Sequence, residues 1–206
     1  MSGVEPWLVQ YLPRAQAAGV ALDVGANEGD WTRALADRCD AVHAFEPNPQ
    51  VATRLRVAVA PYRNVRLVEL ALGDRVGDID LDLYERSEWA TSYPATSLDA
   101  YRAGEPIGSI TVPCHTIDRL GYQFRSVHYI KIDVEGAECA VLRGAKRTLA
   151  ASRPTVLTEV HSARNRDWTV GCLRRAGYVV DVITHPDPAV PAGHCWVLAR
   201  PGLAVQ

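Results

Sequence analysis

The residues Asp133, Val134, Glu135, Gly136, Ala137 and Glu138 place three carboxylates within six positions, directly after the strand-like run Tyr129-Ile130-Lys131-Ile132. Like charges so close repel, so the pattern needs a reason. A structural one is available: acids at a helix N-terminus gain ~0.3–1 kcal/mol each from the backbone dipole, and Glu138 is read as such a cap. A chemical one is that Asp133 faces a cofactor or a reacting hydroxyl, with Glu135 beside it. A second group lies at the end of the next apolar run, where Glu159 and His161 follow residues 154–158. A histidine neutral near pH 7 can take a proton from an alcohol. Asp133, Glu135 and His161 are therefore the candidate catalytic residues. Asp133, Glu159 and His161 also form a mixed oxygen and nitrogen set that suits a divalent cation such as Mg, which would lower an alcohol's pKa. The remaining histidines (His43, His115, His128, His185, His194) are dispersed and are read as structural.

Upstream, Asp23-Val24-Gly25-Ala26-Asn27-Glu28-Gly29 follows the apolar residues 20–22 and opens a helical segment. Glycines in such a turn let the backbone bend sharply and approach a ligand where a Cβ would clash. Free N–H groups at the start of the next helix suit a carboxylate. Glu46 comes 21 residues after Gly25, at the tip of the apolar run 41–45 and before Pro47. A carboxylate there accepts both hydroxyls of a ribose. A ribose is common to NAD and S-adenosylmethionine (SAM), so Glu46 does not separate them. Position 27 does in part: a dinucleotide fingerprint has glycine there, whereas Asn27 suits an amino-acid tail better than a diphosphate. The turn Ala71-Leu72-Gly73-Asp74 offers backbone groups to an adenine edge. The cofactor-facing set is thus Asp23, Gly25, Ala26, Asn27, Gly29, Glu46, Pro47, Ala71, Leu72 and Asp133.

These positions need a frame that brings strand tips to one rim. The chain alternates strand and helix signals from end to end: strands near 20–24, 41–45, 65–70, 129–132, 154–158, 177–182 and 195–199, with helices near 29–38, 49–60, 137–151 and 167–176. An N-terminal helix over 5–18 covers the sheet edge. Short connections and continuous apolar strands predict a mostly parallel α/β sheet with helices on both faces. The last two strands make an antiparallel edge hairpin. Residues 77–84 alternate strictly between apolar and polar, which predicts a half-exposed antiparallel strand with 109–114 as partner. The stretch 85–108 has no clear period but holds Trp89, Tyr93 and Tyr101. Inserts of that length are commonly lids or binding loops, and a lid or substrate loop is expected there.

The 206 residues amount to one domain's worth. With 22 basic and 24 acidic residues, the net charge of −2 argues against a nucleic-acid partner. No apolar run approaches the ~20 residues of a membrane span, and the first residues lack a secretory signal. The five cysteines are odd in number and contain no Cys-x-x-Cys pair, which predicts reduced thiols in the cytoplasm.

In combination, Asp23–Gly29, Ala44-Phe45-Glu46-Pro47-Asn48-Pro49, Ala71-Leu72-Gly73-Asp74 and Ile130-Lys131-Ile132-Asp133-Val134-Glu135-Gly136-Ala137-Glu138 resemble the FkbM-type SAM-dependent methyltransferases. Val141-Leu142-Arg143-Gly144-Ala145 continues the likeness, which spans about 20–160. The resemblance implies a class I methyltransferase (Rossmann-like) fold with seven strands, SAM as cofactor, and O-methylation of a small-molecule hydroxyl on a sugar or natural product. Its cofactor positions fall on the glycine turn, Glu46, Ala71-Leu72 and Asp133. Other readings stay open: methyl transfer to an amine or carboxylate, an NAD-binding oxidoreductase, or a SAM-binding protein without chemistry.

Overall fold

The structure is a computed structural model that describes residues 3–14, 17–84, 106–123, 127–190 and 193–202. Its centre is strand β1 (Ala17–Val24), flanked by β2 (Cys39–Phe45) and β7 (Val127–Ile132). With β3 (Val65–Val68), β8 (Thr155–Val160), β9 (Tyr178–Thr184) and β10 (Cys195–Pro201) they form a seven-stranded sheet of order β3-β2-β1-β7-β8-β10-β9. The five strands from β3 to β8 run parallel, and β10 is antiparallel to both β8 and β9. The closing hairpin is therefore where the sequence places it.

Strand alternation divides the core between the two faces. Leu22, Val24, Ile130, Ile132 and Val156 pack with residues of helices α3 (Glu138–Arg143), α4 (Lys146–Ser152) and α5 (Ala163–Arg175). Ala21, Val42, Tyr129, Leu157 and Trp196 point the other way, onto α1 (Asp30–Ala36) and the N-terminal residues Val4, Leu8 and Leu12. Helix α2 (Pro49–Val59) lays Leu55 and Val59 against Ala26 and Ala44. Both faces are buried, as continuous apolar strands require.

A smaller three-stranded sheet packs at the tip of the main one, in the order β4 (Ala71–Leu72), β6 (Gly108–His115), β5 (Gly77–Leu83). Strands β5 and β6 pair antiparallel from Gly77↔Cys114 to Leu83↔Gly108, as the alternation predicts. Residues 85–105, the body of the expected lid, lie outside the described residues.

Three expectations need correction. The helix over 5–18 does not form. A single 3-10 turn, Val9–Tyr11, stands there, and β1 already starts at Ala17. The burial of Val4, Leu8 and Leu12 keeps helical spacing, but Pro13 disfavours helical geometry at the residue before it. The helix expected to run to 151 is broken into α3 and α4 at Gly144 and Ala145. Gly144 presses on the turn after β4, where an added Cβ would sit 2.0 Å from the Gly73 carbonyl oxygen. Asp118 then caps α4, accepting the N–H groups of Arg147 at 2.9 Å and Thr148 at 2.8 Å. The helix near 167–176 begins earlier, at Ala163, because Ser162 caps it through the Asn165 N–H at 3.2 Å.

Candidate functional site

The site grows from the ends of β1, β2 and β7. Gly25 and Ala26 both donate their N–H to the Phe45 carbonyl at 3.0 Å, and the Asp133 N–H is 3.0 Å from the Val24 carbonyl. Gly25 has φ +76°, and a Cβ there would lie 1.8 Å from the Asp133 carbonyl oxygen. Only glycine fits so close an approach at that φ. Asn27 is also left-handed, at φ +48°. Its N–H meets Glu46 Oε2 at 3.0 Å, while Glu46 Oε1 accepts from the Asn48 N–H at 2.9 Å. The three tips are thus stitched together by backbone bonds. Burial pushes the Glu46 carboxyl above its usual range, against the opposing pull of the Asn48 and Asn27 N–H groups.

Two clefts open on this rim. The first, a narrow slot of about 80 Å³, is lined by Gly25, Asn27, Glu46, Pro47, Ala71, Leu72, Asp133 and Glu135 among the expected residues. Its apolar walls, Val51, Leu70, Val134, Ile79 and Leu81, were not singled out from sequence. Ile79 and Leu81 come from β5, whose apolar positions alternate with Asp78, Asp80 and Asp82; that alternation was the available signal. The second cleft is wider, about 530 Å³, and takes Ala26, Asn27, Lys131, Asp133, Glu159 and His194 into its lining, with Trp31 and Trp196 below. Asn27 and Asp133 line both clefts.

Two expected cofactor residues lie elsewhere. Asp23 is wholly buried and lines neither cleft; it accepts from Thr32 Oγ1 at 2.5 Å and lies 3.4 Å from Lys131 Nζ. Gly29 is buried ahead of α1, where a Cβ would meet Leu55 Cδ1 at 2.6 Å. Both shape the turn from behind.

Lys131 is the residue the sequence reading passed over. It is 2% exposed, donates to the Gly25 carbonyl at 2.8 Å, and lies 3.5 Å from Asp133 Oδ2. Burial would strip its proton, but Asp23, Asp133 and Glu159 outweigh that and push its pKa up. Reciprocally, burial works against ionised Asp133, yet Lys131 and then His161 hold its carboxyl far below the usual range. The signal was present: a lone lysine between Ile130 and Ile132 in a strand buried on both faces must be paired.

His161 is 3% exposed in its side chain and lines neither cleft. Its ring nitrogens stand 3.6 Å from Asp133 Oδ1, 3.7 Å from Glu135 Oε2 and 3.8 Å from Glu138 Oε1. Glu135 reaches it from a left-handed backbone, φ +52°. Glu138 is fully buried, accepts the Gly136 N–H at 2.8 Å and meets Asn165 Nδ2 at 3.2 Å, so it ties the loop ahead of α3. His194, read as structural from sequence, stands in the second cleft. Its Nε2 is 2.5 Å from Glu159 Oε1, and its ring lies 4.7 Å from that of His161. Burial and then Asp133 push the Glu159 carboxyl up, and His194 pulls it back. Among the described residues, Asp133, Glu159 and His161 bring one ligand atom each within 4.8 Å of one another.

The strand order, with β10 reversed between β8 and β9 and a glycine turn after β1, defines the class I fold of SAM-dependent methyltransferases. The profile of the FkbM methyltransferase domain matches residues 23–185, and the chain belongs to that family. Over 146 residues the chain is 35% identical to the 2-O-methyltransferase NoeI of Sinorhizobium fredii, an alignment covering 65% of this chain and 60% of that protein. A crystal structure of methyltransferase FkbM from Methylobacillus flagellatus superposes with TM-score 0.62 at 16% identity, over 94% of this chain and 50% of that one. A Streptococcus mutans protein in complex with SAH gives TM-score 0.56 at 12% identity, over 94% and 93% of the two chains. The chain therefore spans 60% of the curated relative's length and half of the first solved one.

Proposed function

We propose that the chain binds SAM in the first cleft and methylates a hydroxyl of a small molecule, a sugar or natural-product intermediate, held in the second. The observation that carries this is the seam: Asn27 and Asp133 belong to both clefts, so groups bound on either side meet there. The donor set fits the cofactor. Glu46 is buried and anchored by two N–H groups, each carboxylate oxygen retaining room to accept from a ribose hydroxyl. The apolar slot between Val51, Leu72 and Leu81 suits a flat purine. SAM supplies a methyl group on positively charged sulfur, an electrophile that needs no further activation. The chain's task is then to hold the acceptor oxygen in line with that methyl, positioning that contributes ~7–11 kcal/mol. Asp133 stands at the seam, Glu135 lines the cofactor side, and His161 steadies both carboxylates from beneath.

The curated relative carries 2-O specificity in its name, which favours a ring hydroxyl over an amine or carboxylate. Asn27 in place of a fingerprint glycine disfavours NAD. The charge of −2 gives no footprint for nucleic acid. Among the described residues no helix is long and apolar enough to cross a membrane. Five free cysteines favour the reducing cytoplasm.

A divalent cation at Asp133, Glu159 and His161 is not part of the proposal. Asp133 already faces the Lys131 ammonium and Glu159 already contacts His194, so two of the three donors are engaged by other side chains. Calorimetry with S-adenosylhomocysteine, followed by transfer of tritiated methyl from SAM to a panel of methyl glycosides, tests the reading. Heat without transfer to any glycoside would remove the acceptor class, and absence of heat would remove the function.

A further inference from the structure

The turn that follows β7 is bent against the preference of one of its residues. The Ala137 N–H bonds back to the Val134 carbonyl at 3.4 Å, and between them φ is +52° at Glu135 and +106° at Gly136. Turns with positive φ at both central residues favour glycine, asparagine and aspartate. Gly136 suits its place. Glu135 carries a Cβ, which left-handed backbone drives toward the following carbonyl. A residue so placed persists only where its surroundings enforce it, and such places gather at functional sites. Here Asp133, Val134, Glu135 and Ala137 all line the first cleft.

What enforces the turn is a grip on both sides of Gly136. Its N–H donates to Glu138 Oε1 at 2.8 Å, and its carbonyl accepts from Asn165 Nδ2 at 3.2 Å. The same Nδ2 donates to Glu138 Oε2 at 3.2 Å, which closes a ring of hydrogen bonds. A carbonyl and a carboxylate only accept, so the amide group must turn its two hydrogens toward them. The Gly136 N–H belongs to the peptide that leaves Glu135, so holding it fixes the backbone of Glu135 as well. Asn165 itself lines neither cleft. It sits in the first turn of α5, where Ser162 Oγ accepts its N–H at 3.2 Å. One turn further on, Thr169 Oγ1 stands 4.0 Å from Cys139 Sγ, so this face of α5 runs along the start of α3.

We propose that Asn165 is a positioning residue for the cofactor cleft: with Glu138 it clamps Gly136, holds Glu135 left-handed and keeps the turn in the shape that lines the slot. The proposal rests on the reading of the first cleft as the SAM site. Without the clamp, Glu135 is free to leave the left-handed region. Cofactor then binds only the molecules that keep the turn, and the apparent dissociation constant rises by the inverse of that fraction.

Calorimetry with S-adenosylhomocysteine reads this directly, with folding checked by circular dichroism. Asn165→Ala should raise the dissociation constant roughly 5- to 30-fold, the equilibrium weight of a left-handed position for a residue with a Cβ. In a Glu135→Gly background the turn needs no enforcement, and adding Asn165→Ala should change the constant less than about threefold. A purely structural asparagine would weaken both backgrounds alike. In tritiated methyl transfer to methyl glycosides, the same factor should appear in KM for SAM, with kcat held within about twofold. Hydrogen exchange needs neither variant nor ligand: the Gly136 amide of the wild type should exchange well below the free-peptide rate. A change under about twofold in Asn165→Ala, equal losses in the two backgrounds, or free-peptide exchange at Gly136 overturns the proposal. If the wild type gives no heat with S-adenosylhomocysteine, the proposed function fails, and exchange at Gly136 still decides whether the clamp exists.

Discussion

Replacing Lys131 by Met should cost more than any surface charge change in this chain. The ammonium is 2% exposed and faces Asp23, which is 0% exposed, at 3.4 Å. Methionine has similar length but no charge, so Asp23 is left buried without its counter-ion. Removing one partner of a buried pair costs about 3–5 kcal/mol. In a chain of this size that corresponds to a fall in Tm of about 6–20 °C. The same change strips the Gly25 carbonyl of its 2.8 Å donor, loosening the first residue of the turn that shapes both clefts. Affinity for S-adenosylhomocysteine should fall with stability. Chemical denaturation gives the first quantity and calorimetry the second. Asp23→Asn is the control, because the amide oxygen still accepts from Thr32 Oγ1 while the charge is gone. The double variant should regain about 2 kcal/mol of what Lys131→Met loses. A loss under about 1 kcal/mol in the single variant, or no recovery in the double, would refute the buried ion pair as the anchor of this rim.

Gly25→Ala forces a side chain at φ +76° into the Asp133 carbonyl; it should cost at least about 2 kcal/mol and abolish S-adenosylhomocysteine heat in calorimetry. Glu46→Gln turns one buried oxygen into a donor facing a donor, and loses charge-assisted bonds to the ribose worth about 1.5–3 kcal/mol, so the dissociation constant should rise roughly 10- to 150-fold. Burial raises the Glu46 pKa from 4.5, so its neutral form appears at higher pH than in a free glutamate. Wild-type affinity should therefore decline on acidification before the ordinary carboxylate range is reached, and calorimetry on Glu46→Gln should lack that limb. Methyl transfer should be unchanged by EDTA or added Mg²⁺, and a strict requirement for the ion would reinstate the cation at Asp133, Glu159 and His161.

What the sequence discloses here is what neighbours in the chain decide. The glycine turn, the acid at the tip of β2 and the carboxylates after β7 are each set within a few residues, and Gly25, Asn27, Glu46 and Asp133 do share a cleft. Contacts made at long range stayed hidden. Gly144 breaks a helix because Gly73 lies against it, and nothing near position 144 announces that. His194 looked dispersed because its partner Glu159 is 35 residues away and the two meet only through antiparallel register. Asp23 shows the opposite case: its position in the motif suggests a ligand contact, while the fold buries it beside Lys131.

The topology explains why chemistry belongs at this seam. From β1 the chain moves outward to β2 and β3, then returns and continues from β7 to β8 on the other side. Ligands in open α/β sheets bind at such a switch point. Here Val24 pairs with Ile132, so Gly25 and Asp133 emerge level with each other, the narrow apolar slot on the β2 side and the polar cleft on the β8 side. Asp133, at the seam of the two clefts, would attract the positive charge of bound SAM, an attraction that is lost once the methyl has been given up. Asp133 therefore contributes to binding rather than to lowering the barrier. Stabilisation that strengthens as the reaction proceeds is what raises turnover. Asp133→Asn should accordingly raise KM for SAM with a smaller effect on kcat; a fall in kcat at unchanged KM for SAM in steady-state kinetics would overturn the assignment of Asp133 to binding.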